Sequence, residues 1–179
     1  MSKARDNAIA PSAGYIFQFE IALVMLADLE KNKSISIEHV DDVAKVDEKG
    51  TILVTTQVKH SISASGSTYQ DTSLSLWRTI EIWITKLKTG TFNRQTKFIC
   101  ISNKEFSEKS LIWNFKKMSF EESIMKIKSL NDSLKEKLKT LKRSGSHIKK
   151  IISLIDFALL NQDLFKIVIN NLEISTTTF

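Results

Sequence analysis

The segment TILVTTQVKHS at 51–61 constrains the fold more than any other part of the chain. Apolar side chains recur at alternate positions along it, as they do in a half-buried β-strand. The sequence DEKG at 47–50, directly before it, is typical of a tight turn. Because β-branched residues also precede this turn, at 42–46, we predict a β-hairpin that commits this region to a sheet.

A third strand is predicted just before the hairpin. Ile35 and Ile37 alternate with polar residues and indicate a strand at 35–40. The adjacent Asp41 and Asp42 disfavour strand pairing, so two short strands are expected to meet near these acids.

Helical periodicity surrounds the strand region. Ile16, Phe19, Leu23, Leu26 and Ala27 recur at three- and four-residue spacing. That spacing predicts a helix over about 14–31, after a polar arm at 1–12. Beyond the hairpin, the sequence predicts a Ser-rich loop at 61–70 and then a helix capped by Asp71, Thr72 or Ser73 that ends at Gly90. A strand is predicted at 97–102. The remaining predictions are helices at 107–117, 120–142 and 145–171 and a strand-like tail at 171–179. The order of elements predicts an α/β or α+β fold.

Composition limits the class of protein. The 179 residues carry 42% hydrophobic and 26% charged side chains, which is ordinary for one globular domain. A single cysteine excludes an internal disulfide. The longest apolar stretch, IALVMLADL, is too short to span a bilayer, and polar residues interrupt the N-terminal segment where a secretory signal needs apolar ones. We therefore expect a cytoplasmic protein that does not act in a membrane.

Three polar residues converge on the predicted hairpin. Gln57 and Lys59 share one face of their strand because strand side chains repeat every two residues. A two-residue loop at 49–50 sets Asp42 opposite Gln57, and another loop length shifts this pairing by about two residues. An acid, an amide and an ammonium group are therefore expected to point into one cleft.

This trio suits metal-assisted phosphodiester hydrolysis. Asp42 and the side-chain oxygen of Gln57 are the kind of ligands that Mg²⁺ prefers, with Mn²⁺ as a substitute. Lys59 could stabilise developing negative charge. Glu38, or Gln18 on the first helix, could add or support a ligand. The competing interpretation is a surface salt bridge of little consequence.

The order and spacing of these motifs resemble the PD-(D/E)XK nuclease superfamily. Its acid–strand–(D/E/Q)xK pattern corresponds to Asp42 and Gln57-Val58-Lys59. The sequences GYIFQF at 14–19, IEHVDDV at 37–43, QVKH at 57–60 and LWRT at 76–79 are similar to the N-terminal nuclease domain of bacterial anti-phage effectors, including those fused to a SAVED sensor domain in CBASS systems. Either Asp41 or Asp42 fits the acid position, and Asp42 is preferred because it starts the following strand.

The resemblance implies a restriction-endonuclease-like αβββαβ core over about 12–102, with C-terminal accessory helices over 103–179. It implies a single nuclease domain, 1–179, cut from a longer effector. Asp42 and Gln57 would be metal ligands, Lys59 the catalytic lysine, and Glu38 and Gln18 auxiliary site residues. The implied substrate is double-stranded DNA, and the implied partner is a sensor domain or protein that activates the nuclease, with homo-oligomers as a further form.

Two other functions compete with a nuclease. The glutamine in place of a second acid removes a negative charge, which favours a non-catalytic DNA- or protein-binding module on a nuclease-like fold. A helical scaffold formed by 103–171 is the third reading. The formal net charge of +6 arises in one stretch, 116–150, where eleven Lys or Arg outnumber four acids. That stretch could follow a phosphate backbone or form a solvated helix face.

Overall fold

The computed structural model describes residues 6–61, 69–140 and 145–177, with side chains from residue 11 onward. Its elements are α1 (Asp6–Ala27), β1 (Lys33–Ile37), β2 (Val43–Asp47), β3 (Ile52–Lys59), α2 (Leu74–Lys88), β4 (Lys97–Ser102), α3 (Leu111–Asn114), α4 (Phe120–Thr140), α5 (Ser146–Leu160), α6 (Gln162–Asn170) and β5 (Leu172–Thr176). These elements confirm a mixed α/β fold. In the described ranges, no helix is long and apolar enough to cross a membrane.

All five strands form one sheet in the order β1-β2-β3-β4-β5. The pairs β1–β2 and β2–β3 are antiparallel, whereas the pairs β3–β4 and β4–β5 are parallel. The strand-like tail at 171–179 thus supplies an edge strand up to Thr176, and residues 178–179 lie outside the described part. The sheet prediction is confirmed, and the tail completes the sheet. The strand predicted at 35–40 is instead β1 at Lys33–Ile37, and β2 begins at Val43, one residue after Asp42, because residues 38–42 form a loop.

The predicted turn forms the β2–β3 hairpin. Gly50 N donates to Asp47 O at 3.0 Å, and the Asp47 carboxylate accepts from the N–H groups of Lys49 and Thr51. Gly50 has a φ of +81°, which is strained for side chains with a Cβ. The register then pairs Val43 with Thr56, after an irregularity between residues 45 and 46.

The chain divides into two compact units that interleave in sequence. The sheet unit contains α1 and the five strands, and its described residues are 6–61, 92–106 and 171–177. The helical unit contains α2 to α6, with described residues 69–91, 107–140 and 145–170. Thus α2 belongs with the later helices, although it lies between two strands of the sheet in sequence.

In the sheet unit, α1 packs along one face of the first three strands. Phe17 and Ile21 join Val43, Val58 and Ile101 in a buried apolar cluster. The predicted helix boundaries are wrong at both ends. The helix includes 6–12 of the expected polar arm, although Pro11 lies inside it and lacks a backbone N–H. It ends at Ala27 instead of residue 31.

The stripe that predicted α1 is not its buried face. Ile16, Phe19, Leu23 and Leu26 are all more than half exposed. Phe17 and Ile21 are buried instead. The first helix therefore carries apolar residues on two faces, and only one of them packs against the sheet.

In the helical unit, α5 contacts α2, α4 and α6, and α2 also contacts α6. The N-terminal cap of α2 is Ser73, whose hydroxyl accepts from Leu76 N at 3.2 Å. The carboxylate of Asp71 instead accepts from Leu111 N at 2.7 Å, at the start of α3. Of the three predicted caps, Ser73 is thus the one that forms this bond.

Two helix predictions in the C-terminal part need correction. The helix predicted at 107–117 is only the four-residue α3. The helix predicted at 145–171 breaks into α5 and α6 at Asn161, whose backbone leaves helical geometry. Asn161 Nδ2 donates to Phe157 O at 2.8 Å, so its side chain replaces a helical donor at the end of α5. The predicted Ser-rich loop falls largely on residues 62–68, outside the described part.

Candidate active site

The loop between β1 and β2, residues 38–42, holds three of the chain's acids. Glu38 has a φ of +55°, and its N–H donates to Asp42 O at 3.1 Å, which closes the loop. The side chain of Glu38 is exposed, whereas those of Asp41 and Asp42 are half-buried. The two aspartates follow the turn and precede the first residue of β2, so they lie beside the central part of β3.

Asp42 contacts β3 directly. Its Oδ2 accepts a hydrogen bond from Gln57 Nε2 and another, of 2.7 Å, from Val58 N. The second bond lies beyond the last β2–β3 pair, Val43 with Thr56, so a carboxylate oxygen replaces a missing backbone acceptor. The sequence-based pairing of Asp42 with Gln57 is therefore found in the structure.

Asp41 is held on the same strand. Its Oδ2 accepts from Thr55 Oγ1 at 2.7 Å, and its Oδ1 accepts from Asp42 N at 3.1 Å. Thr55 is fully buried and lies two residues before Gln57, on the same face of β3. The sequence analysis gave Thr55 no role. Its position two residues before Gln57, on the same face of the strand, was the signal that could have identified it.

Lys59 is the last residue of β3 and shares the face of Gln57. Its backbone carbonyl accepts from Asn103 N at 3.3 Å, which fixes the end of the strand beside the end of β4. Burial raises the pKa of the Asp42 carboxyl, and the positive charge of Lys59 opposes that shift. Lys59 is therefore close enough to the aspartate to influence its charge.

Burial dominates the electrostatics of Asp42 and raises the pKa of its carboxyl to about 6. The negative charges of Asp41 and Glu38 raise this pKa further, whereas the Val58 N–H and the charge of Lys59 oppose the shift. The site thus concentrates negative charge, which would favour a bound cation. It also contains one compensating ammonium group.

Gln18 stands apart from this group. It lies on α1, which packs on the face of β3 that carries Val58, whereas Gln57 and Lys59 occupy the other face. Gln18 is 9% exposed, and its buried Oε1 has no hydrogen-bond partner within the part of the chain that the structure describes. The structure therefore brings together Asp42 and Gln57, with Lys59 and Glu38 acting electrostatically, and places Gln18 on the opposite side of the strand.

The donors of this site suit a hard divalent cation in chemical type, because they are carboxylate and amide oxygens. Gln57 directs its Nε2 toward Asp42, so its amide must turn before Oε1 can serve as a ligand beside that carboxylate. In the described ranges, no group of three or more His, Cys, Asp or Glu side chains is arranged to hold a metal ion. The donor groups that the structure already brings into contact here are the carboxylate of Asp42 and the amide of Gln57.

Comparison with protein-family models, with curated proteins and with solved structures finds no match to this chain.

Proposed function

We propose that this chain is a metal-dependent endonuclease domain of the PD-(D/E)XK type that hydrolyses phosphodiester bonds in double-stranded DNA. The observation that carries the proposal is the contact of Asp42 with Gln57, with Lys59 two residues further on the same face of β3. The order α1-β1-β2-β3-α2-β4 agrees with the αβββαβ core of that superfamily and supports the proposal.

Each residue of the trio has a distinct role in this proposal. Asp42 and the turned amide of Gln57 would hold Mg²⁺ or Mn²⁺. The cation would supply Lewis-acid activation of the scissile phosphate. The ammonium group of Lys59 would stabilise the negative charge that develops on the phosphate and help orient the attacking water. Asp41, held by Thr55, would keep the loop in place beside β3.

The substrate class follows from the sequence resemblance and from charge. Four lysines of α4 are exposed: Lys126, Lys128, Lys137 and Lys139. Lys139 is partly neutralised by Glu136, at 2.6 Å, whereas Lys128 and Lys137 project into solvent. Exposed lysines on one helix suit the phosphate backbone of DNA, because lysines that neutralise phosphates release the counterions condensed on the DNA.

The cellular role in the proposal is bacterial anti-phage defence in the cytoplasm. A nuclease without sequence specificity must be restrained, and a sensor domain or partner protein would provide that control. This part of the proposal rests on the resemblance of the motifs at 14–19, 37–43, 57–60 and 76–79.

Plasmid cleavage tests the proposal. The intact chain, Lys59→Ala and Lys97→Ala are compared with Mg²⁺, with Mn²⁺ and with EDTA. Lys97 is the matched control, because it lies in the neighbouring strand and pairs with Glu173 at 3.5 Å. We expect metal-dependent cleavage by the intact chain and by Lys97→Ala, and at least about a hundredfold loss in Lys59→Ala. Equal cleavage by all three proteins would contradict the site assignment.

A second candidate function is a non-catalytic DNA- or protein-binding module. The observation that favours it is that Asp42 Oδ2 already accepts two hydrogen bonds, from Gln57 and Val58, so the aspartate is also a structural residue. This function predicts DNA binding that EDTA does not change and an absence of cleavage in every metal.

A further inference from the structure

Helix α1 carries an apolar stripe on the side that faces away from the sheet. We call Tyr15, Ile16, Phe19, Leu23 and Leu26 the α1 outer stripe. Each of these side chains is between 53% and 65% exposed. Large apolar side chains that gather on one exposed face usually mark a contact surface, whereas scattered ones need no explanation.

The spacing of the stripe is that of a helix pair. Ile16, Phe19, Leu23 and Leu26 are separated by three, four and three residues, which is the a–d–a–d pattern of two consecutive heptads. In a helix this pattern keeps one seam in line over about three turns. The surface is therefore shaped for another helix that lies along it.

The charge of α1 distinguishes between classes of occupant. From Pro11 to Ala27 the helix contains no Lys or Arg, and Glu20 is its one charged side chain. Helices that bind membrane surfaces or nucleic acids use basic residues for that purpose. The α1 outer stripe lacks them, so a protein surface is the favoured partner.

A second copy of the chain fits this surface. A twofold axis places the same patch on both partners, so a charged patch would repel itself, whereas an uncharged apolar stripe is complementary to itself. Half of an aromatic side chain is about 100 Å². Tyr15 and Phe19 are aromatic and therefore provide about 200 Å² on each copy, to which the smaller side chains of Ile16, Leu23 and Leu26 add further apolar area.

From these observations we infer that the chain forms a homodimer through the α1 outer stripe, with α1 of one copy packed along α1 of the other. The inference is independent of the nuclease proposal. The face of β3 that packs against α1 carries Val58, whereas the opposite face carries Gln57 and Lys59, and Asp42 bonds to Gln57. It also assigns a use to apolar residues that the core of the chain leaves exposed.

Sedimentation equilibrium of the intact chain across the micromolar range tests this inference. We expect a mass that approaches twice the 20.4 kDa of one chain as concentration rises. Leu23→Glu should raise the dissociation constant of the dimer at least about tenfold, since it places a charge in the centre of the stripe on both copies. Leu160→Glu is the matched control, because Leu160 is 84% exposed and lies at the end of α5.

Circular dichroism of each variant verifies that it is folded, and Phe19→Ser serves as a second variant. A monomeric mass for the intact chain at every concentration overturns the inference, as does a dimer that Leu23→Glu and Phe19→Ser leave unchanged. A monomer that binds vesicles of neutral phosphatidylcholine overturns it in favour of a lipid surface.

Discussion

Asp42 and Gln57 are joined across the start of β2, where Oδ2 of the aspartate accepts from Nε2 of the glutamine. The same oxygen accepts from Val58 N, so one carboxylate atom connects the loop at 38–42 to both the side chain and the backbone of β3. A single aspartate therefore contributes to the stability of the hairpin and to the candidate site.

The raised pKa of Asp42 makes stability depend on pH. Its folded-state value of about 6 exceeds the ordinary 3.8, so the folded chain holds more protons than the unfolded chain between these values. The free energy of unfolding should therefore fall as pH rises from about 4 to about 6. We expect a fall of about 2 kcal/mol, which is less than the full pKa difference would give, because part of the carboxylate still faces solvent.

Urea unfolding in EDTA at several pH values measures this effect. Asp42→Asn should lack the fall, because the amide cannot ionise. Asp132→Asn should behave like the intact chain, because Asp132 is exposed on α4. Parallel curves for the intact chain and Asp42→Asn would contradict the electrostatic account of the site.

Gln57→Glu should strengthen the binding of divalent cations. The change supplies a second carboxylate at the proposed site, and it adds negative charge beside Asp42. We expect the dissociation constant for Mn²⁺ to decrease about tenfold in calorimetric titration. Without metal the variant should be less stable than the intact chain, because two neighbouring carboxylates repel each other.

Gln95→Glu, at an exposed position of the same unit, is the control for Gln57→Glu that adds equal charge elsewhere. Unchanged Mn²⁺ affinity in Gln57→Glu would argue against Gln57 as a ligand.

Thr55→Val tests whether Asp41 is anchored by the threonine hydroxyl. The valine keeps the shape of the buried side chain and removes the 2.7 Å hydrogen bond to Asp41 Oδ2. We expect a loss of about 1–2 kcal/mol in the free energy of unfolding. Thr56→Val is the matched control, since Thr56 is equally buried and its hydroxyl makes a weak, 3.9 Å contact with Met25 Sδ. Chemical denaturation should rank Thr55→Val below Thr56→Val in stability, and the reverse order would contradict this role.

The exposed lysines of α4 predict salt-sensitive DNA binding. Lys128→Glu and Lys137→Glu should each weaken binding to duplex DNA without regard to sequence and should reduce the dependence of affinity on salt by about one phosphate contact. Fluorescence anisotropy at several salt concentrations measures both effects. Lys31→Glu, an exposed charge reversal in the sheet unit, should leave the salt dependence unchanged if the α4 lysines are the contact. Equal effects of all three reversals would indicate a response to net charge alone.

Local sequence signals determined most of the strands. The alternation in 51–61, the DEKG turn and the short apolar run at 97–102 each depend on neighbours in sequence, so β3, the hairpin and β4 could be predicted. The same signals placed Asp42 opposite Gln57, because hairpin register follows from turn position. Helix boundaries were less accurate, since α5 and α6 separate at Asn161 through a side-chain bond to Phe157 O that periodicity does not reveal.

Tertiary structure decided the features that depend on distant partners. Periodicity identified α1 but could not tell which of its two apolar faces meets the sheet, and packing buried Phe17 and Ile21 while it left Phe19 and Leu23 exposed. The anchoring of Asp41 by Thr55 and the raised pKa of Asp42 arise from burial and from charges that folding brings together. Sequence by itself therefore determined the strands and the acid–amide–lysine pattern, because these follow from local spacing. The buried face of α1 and the electrostatics of the site were determined only by the folded chain, because solvent exclusion is a property of the whole arrangement.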